Sequence, residues 1–290
     1  MSQEHRGTIF LEQAPVLAQL AYDAEQFVIR LGAPKCAAHA APGTFAHLTC
    51  DASIPMRRPL SIMRAHPKAG WIEILYKVVG AGLQALAARK AGDRVSVLGP
   101  IGQPFVTHRA RPRTLLLGGG VGIPPMVFLA ERLKGDAHFR PLVLMGSEVP
   151  FPFRARPSAT LVSGMPAGSI ACMPLLEEWG VPSRLASLRD YPGCHSGFVT
   201  ELADAWLASL GPAELREVEI FSCGPTPMLK ASAALARRHG VACQVSLEEF
   251  MACAVGGCAG CTVKVNTPDG PAMKRVCVDG PVFDSRAVFG

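Results

Sequence analysis

The sequence is poor in charge, poorer in aromatics, and has no long hydrophobic run. Charged residues make up 18% of the 290, and Phe, Trp and Tyr together only 7%. So few aromatics argue against the stacking platforms that hold single-stranded nucleic acid. The net charge of +6 is scattered, with short basic knots such as Arg109, Arg111 and Arg113. It points to anionic small molecules or an acidic partner rather than a polynucleotide. No apolar stretch approaches the roughly 18 residues that a membrane-crossing helix needs. The opening stretch 2–10 (SQEHRGTIF) is polar and lacks a signal-peptide core, which makes the cytoplasm the expected compartment. Against these shortages stands a 49% apolar content, which rules out a disordered chain, and a length suited to two or three domains.

Cysteine runs the other way, with ten in the chain. Disulfide frameworks belong to short secreted chains, so none is expected here. Cys36, Cys50, Cys172, Cys194 and Cys243 read as small buried apolar groups. Cys253, Cys258, Cys261 and Cys277 instead form the pattern C-x4-C-x2-C-x15-C. Its x4 and x2 gaps are those of plant-type [2Fe-2S] sites. Three thiolates reaching two irons from one loop need a backbone that curls close. Gly256, Gly257 and Gly260 allow that and leave amides free to face anionic sulfur. A structural zinc site is the alternative, but such sites usually pair their ligands in two knuckles, whereas Cys277 stands alone. Four unrelated buried thiols is the third reading. The eight histidines are scattered singly, without metal-ligand spacing.

Along the chain, 26–31, 45–50, 71–79 and 94–98 are short, β-branched or aromatic, and bounded by Gly, Pro or Asp. This is the texture of a small antiparallel barrel, with a brief helix predicted at 82–90. A basic link at 108–112 follows. Beyond it, strands predicted at 114–117, 141–145, 159–162, 219–223 and 242–247 alternate with helices at 126–133, 199–210 and 227–239. That alternation predicts a doubly wound parallel α/β sheet. The expected fold is therefore multi-domain: an antiparallel β-barrel over 1–108, the α/β domain over 109–247, and a small Cys-rich module over 248–290.

Several turns have the chemistry of phosphate seats. Gly118-Gly119-Gly120-Val121-Gly122 follows an apolar strand and opens a helix, where bare backbone receives pyrophosphate, although a plain strand–helix turn has the same form. Cys223-Gly224-Pro225 ends a later strand and should face the glycine run across one crevice, with the thiol either beside a planar ring or simply buried. In the barrel, Arg57 and Arg58 flank Pro59-Leu60-Ser61, and a guanidinium fork suits phosphate. Tyr76-Lys77 leads into the glycine turn Gly80-Ala81-Gly82. Each barrel segment taken alone favours the reading of a solvated basic turn on the barrel rim.

Taken in order, RRPLSI at 57–62, LYKVVGAG at 75–82, LGPIGQPF at 98–105, GGGVGIPP at 118–125, SCGPTPM at 222–228, CAVGGCAGC at 253–261 and CVDGPVF at 277–283 resemble the ferredoxin–NADP reductase superfamily. Within it, they are most similar to the electron-transfer subunits of two-subunit, NAD-dependent dihydroorotate dehydrogenases. The resemblance spans essentially the whole chain, and the terminal cysteine motif is its most specific part. It implies FAD lined by Arg58, Pro59, Leu60, Ser61, Leu75, Tyr76, Lys77, Gly82 and Leu83. It implies NAD(H) bordered by Gly118, Gly119, Gly120, Gly122, Cys223, Gly224 and Pro225, and a [2Fe-2S] cluster on Cys253, Cys258, Cys261 and Cys277. No side chain is implied as acid or base. The implied function is electron transfer between NAD and a catalytic flavoprotein subunit in a hetero-oligomer of pyrimidine biosynthesis.

Three departures stand out. Leu83 replaces the usual Thr of the flavin turn, Ala254 replaces a Gly after the first cluster cysteine, and 147–158 (SEVPFPFRARPS) is unlike the expected loop. Glu148, 30 residues past Gly118, suits a ribose hydroxyl and favours NAD, while Arg154 and Arg156 pull toward NADP. Two rivals remain at this level: a subunit of an NAD(P)H–ferredoxin oxidoreductase or sulfur-reducing complex, and a zinc-stabilised nucleotide sensor without catalysis.

Overall fold

The structure, a computed structural model, describes residues 7–290. The polar stretch 1–6, with His5, lies outside the described residues. Seven strands build the first domain: β1 (Phe10–Tyr22), β2 (Gln26–Gly32), β3 (Phe45–Thr49), β4 (Arg58–Ser61), β5 (Arg64–His66), β6 (Trp71–Lys77) and β7 (Arg94–Ile101). Helices α1 (Pro34–His39) and α2 (Gly80–Ala87) lie between them. They form one antiparallel sheet in the order β4-β3-β7-β1-β2-β6-β5. Its two edges, β4 and β5, are joined by Ile62 and Met63 alone. Such a link reaches about 11 Å at most, so the sheet has to curl until its edges meet, as a half-barrel. Ile29, Leu31, Leu48, Ile72, Ile74 and Tyr76 fill its core.

The second domain alternates as expected. It runs β8 (Arg113–Gly119), a single 3-10 turn, α3 (Ile123–Leu133), β9 (Arg140–Gly146), the small ladder β10 (Arg156–Pro157) and β11 (Ala171–Cys172), then α4 (Pro174–Glu178). It continues with β12 (Ser183–Ser187), β13 (His195–Ser196), α5 (Val199–Ala208), α6 (Pro212–Leu215), β14 (Val218–Cys223), α7 (Thr226–His239) and β15 (Ala242–Ser246). The chain winds outward from β8 through β9 to β12, then returns to the other side of β8 with β14 and β15. The order therefore reverses between β8 and β14, at whose carboxyl ends ligands of such sheets bind.

One strand is misplaced in the sequence reading. Residues 159–162 are not a strand, and Leu161 is 96% exposed. The third parallel strand is β12, disguised by polar residues that are nonetheless buried. The Oγ of Ser183 accepts the Met173 N–H at 3.1 Å, and the Ser187 hydroxyl donates to Ser147 O at 2.7 Å. Arg184 donates to the carbonyls of Ser183 and Thr160. The basic link is likewise bound down. Glu219, 2% exposed on β14, meets His108 at 2.9 Å, Arg111 at 3.4 Å and Gln244 at 2.9 Å.

Residues 248–290 do not stand apart from the α/β sheet. After the cysteine loop come the hairpin β16 (Thr262–Thr267) and β17 (Gly270–Arg275), then β18 (Val282–Asp284) and α8 (Ser285–Phe289). β18 runs antiparallel along β15 as the last strand of the sheet, with Val282 opposite Ser246.

α7 ends on Gly240, whose φ is +66° and beside which an added Cβ would meet nothing within 4 Å. Gly240→Ala should therefore register backbone strain alone and destabilise the fold by about 1 kcal/mol. Urea unfolding followed by circular dichroism checks it; an unmoved midpoint contradicts it.

Candidate functional site

The cysteine loop owes its shape to the hairpin. The fifteen residues between Cys261 and Cys277 are two six-residue strands, a two-residue turn and Val276. Thr262 pairs with Arg275, and the Val276 N–H donates to Cys261 O at 3.0 Å, so Cys277 is delivered back beside Cys261. The wide gap in the sequence is thus the length of a hairpin. Before it, the loop turns through left-handed residues at Ala254 (φ 56°), Gly256 (φ 82°) and Ala259 (φ 53°). Arg275 braces it by donating to Gly256 O at 3.0 Å, a residue the sequence reading passed over.

The thiols meet in pairs. The Cys258 N–H donates to Cys253 Sγ at 3.4 Å and the Gly260 N–H to Cys258 Sγ at 3.5 Å. Burial pushes the Cys253 thiol up, but N–H groups of Val255, Cys258 and Gly257 outweigh it and bring its pKa down to about 7. Cys277 is pushed up to about 12 by burial and by the adjoining Cys261 thiol. Cys253 with Cys258 and Cys261 with Cys277 are therefore two neighbouring couples. Among the described residues, no three ligating side chains close on a single point. Two couples, with amides aimed at the outer one, fit a centre of two irons with two thiolates each.

At the α/β switch point the glycines allow backbone to touch backbone. A Cβ on Gly122 would lie 2.6 Å from Gly224 N, and one on Gly118 2.9 Å from Ile123 Cα. Gly119 abuts Met228, and Cys223 lies beside Gly118 in the β14–β8 register. Pro124 and Pro125, in the first turn of α3, lack N–H groups. Donors to an anion are therefore left to Gly120, Val121 and Gly122. Burial holds the Cys223 thiol up at about 12.

In the barrel the two arginines part company. Arg57 is structural, donating to His47 O, Ser96 O and Ser96 Oγ. Arg58 lies over the first turn of α2, where a Cβ on Gly82 would stand 2.9 Å from its guanidinium. The remainder of β4, Pro59 to Ser61, is half-buried. Along β6 alternate residues diverge. Leu75 joins the cluster shared with Met63, Phe105, Ile123 and Cys223. Tyr76 points into the barrel core, stacked 5.6 Å from Phe27 and donating to Gln19, so only its backbone faces outward. Leu83 is buried in the same core, and Lys77 is half-buried at the strand end. Glu148 and Arg154 are exposed beyond β9, while Arg156 is 3.9 Å from Glu178. Phe45 of β3 packs with Met251, Cys261 and Cys277, which sets the cysteine loop against the barrel strand next to β4.

Residues 248–289 match the family model described as the iron-sulfur cluster binding domain of dihydroorotate dehydrogenase B. The dihydroorotate dehydrogenase B (NAD(+)) electron transfer subunit of Shouchella clausii is 33% identical over 246 residues, covering 83% of this chain and 84% of that one. Its namesake in Desulforamulus reducens is 30% identical over 275 residues, covering 94% and 95%. The chain belongs to the family of dihydroorotate dehydrogenase B electron transfer subunits. Its fold is that of the ferredoxin–NADP reductases. A structure of an NADH-dependent reduced ferredoxin-NADP oxidoreductase aligns with a TM-score of 0.76 at 24% identity over 96% of this chain and 90% of that one. A ferredoxin NADP+ reductase from Neisseria gonorrhoeae aligns at 0.57 and 14% identity, covering 79% and 92%.

In metal-free protein, Cys253 should be alkylated far more readily than Cys277, its rate with iodoacetamide rising as pH climbs through about 7 because the thiolate is the nucleophile. Cys277 should stay inert across that range. Peptide mass mapping reads both, and equal labelling of the two would contradict the geometry.

Proposed function

We propose that the chain passes electrons between NAD and a catalytic flavoprotein subunit that oxidises dihydroorotate to orotate, in the cytoplasm, as part of pyrimidine biosynthesis. Family membership supports this, and one observation carries it. Leu75 and Cys223, from the flavin-type and nicotinamide-type segments, lie in one apolar cluster, while Phe45, one strand from β4, packs against Cys261 and Cys277. These contacts support a reading in which three sites on three stretches of chain (1–108, 109–247 and 248–290) are neighbours. All ten cysteines are free, as a reducing compartment requires.

FAD would be held by Arg58, Pro59, Leu60, Ser61, Leu75, Tyr76, Lys77, Gly82 and Leu83, and a [2Fe-2S] cluster by Cys253, Cys258, Cys261 and Cys277. When bound, these groups convert the two-electron hydride chemistry of nicotinamide into single electrons. The protein's own work is placement. Arg58, already at Gly82, is set to pair with a phosphate at the bare first turn of α2, a contact that Leu83 leaves to backbone and guanidinium. Gly120, beside which nothing lies within 4 Å, leaves backbone open to a dinucleotide, while Gly118, Gly119 and Gly122 let this turn close onto Cys223, Gly224 and Pro225, which would border the coenzyme with it. Buried and protonated at neutral pH, Cys223 excludes water without serving as a base. Glu148 beyond β9 favours a free ribose hydroxyl, hence NAD over NADP.

Anaerobic NADH should bleach the flavin absorbance of the purified chain within seconds. The chain copurified with its catalytic subunit should form orotate from dihydroorotate with NAD. A colourless, zinc-containing protein would overturn the reading. Bleaching without orotate formation would favour the ferredoxin-type reductase instead, and a kinetic preference for NADPH would reverse the coenzyme assignment.

A further inference from the structure

Helix α3, which follows the nicotinamide-type turn, is held from the barrel side by more than apolar contact. Phe128 and Glu131 are three residues apart and share one face of the helix. Phe128 is 1% exposed and belongs to the barrel core. Glu131 accepts from Arg64 of β5 twice, at 2.8 Å from Nη2 and 3.1 Å from Nε. The remaining nitrogen of Arg64 reaches Glu73 of β6 at 3.3 Å, and Glu73 accepts from Arg30 of β2 at 2.7 Å. The two guanidiniums lie over Trp71 at 4.3 and 5.5 Å. Arg64 and Glu131 are only 21% and 20% exposed, so solvent screens them incompletely. Gln26 to Pro150 O and Arg132 to Ala40 O, which also join barrel and α/β domain, end on backbone carbonyls.

The placement of the pair gives it meaning. Arg64 is three residues past Ser61 of β4, and Glu131 is on the helix that Gly122 introduces. The bridge therefore ties the flavin-type strand to the nicotinamide-type helix by a short covalent path on each side. Apolar contact across the seam attracts without direction, whereas an arginine held twice by one carboxylate has an orientation. We propose that Arg64, through Glu131, is a positioning residue for hydride transfer: it sets the angle of α3 against the barrel and so the separation of nicotinamide and flavin. This rests on the functional reading above.

Arg64→Met keeps the aliphatic stem and removes the fork. In the cofactor-free full chain, hydrogen exchange of α3 amides should quicken relative to α7. In the loaded chain, the long-wavelength absorbance of nicotinamide stacked on flavin should weaken and bleaching by NADH should slow about tenfold or more, as displacement of reacting atoms demands. NAD affinity, iron content, flavin content and reduction by dithionite should not change. Glu131→Gln should behave alike, and the double variant no worse than either single one. Should Arg64→Met lose its flavin, Glu131→Gln carries the same test. Bleaching at the parent rate, or slowing only in proportion to lost flavin, overturns the proposal. A parent chain that NADH does not bleach at all overturns the functional reading instead, and unchanged α3 exchange then still counts against Arg64.

Discussion

Hydride exchange requires two rings in contact, and here the segments suited to hold them come from different domains. Everything else depends on the apolar seam between those domains, where Met63, Leu75 and Phe105 of the first meet Ile123, Met126, Phe221 and Cys223 of the second. Burying one such side chain contributes roughly 1.5–3 kcal/mol, against at most about 1 kcal/mol for an exposed ion pair. The seam thus holds the domains together and the polar contacts give it direction. Within the α/β domain, missing side chains at Gly118, Gly119 and Gly122 let the first crossover turn lie directly on the turn after β14, and Ile123 and Cys223 from those two turns join the seam.

The cysteine loop follows a different logic. Amides around Cys253 favour its anionic form, while Cys277 is buried against Cys261 and resists ionising. A metal centre removes that conflict, since a coordinated thiol gives up its proton and the positive ions repay the burial. Phe45 and Met251 then supply the apolar wall that keeps the inner couple from water.

Much of this was legible because each signal was local. The glycine run, the strand-ending SCGP and the cysteine spacing are short stretches whose chemistry does not depend on distant partners. What escaped reading depended on tertiary pairing. β1 is the longest strand, yet FLEQAPVLAQLAY is rich in helix formers and interrupted by Pro15. Pairing with β2 on one side and β7 on the other overrides that propensity. β12 escaped for the opposite reason, because its buried serines and arginine are satisfied by groups far along the chain. At the site, Arg57 and Arg58 are indistinguishable in sequence, and only the packing of Ser96 and Gly82 assigns them different work. Arg64 and Glu131, 67 residues apart, carry no pattern that links them.

The register of the last strand has a mechanical consequence. Ser246 and Val282 face each other across β15 and β18, and the Leu247 N–H donates to Pro281 O at 2.9 Å. The whole cysteine-bearing excursion is therefore stapled shut at its neck, with both ends fastened to the same rigid sheet. A redox module hung on a single flexible tether can swing between donor and acceptor; one with a pinched base has no such freedom. Electrons must travel through a stationary arrangement, so the redox partner has to come to the exposed rim around Cys258 rather than wait for a moving carrier.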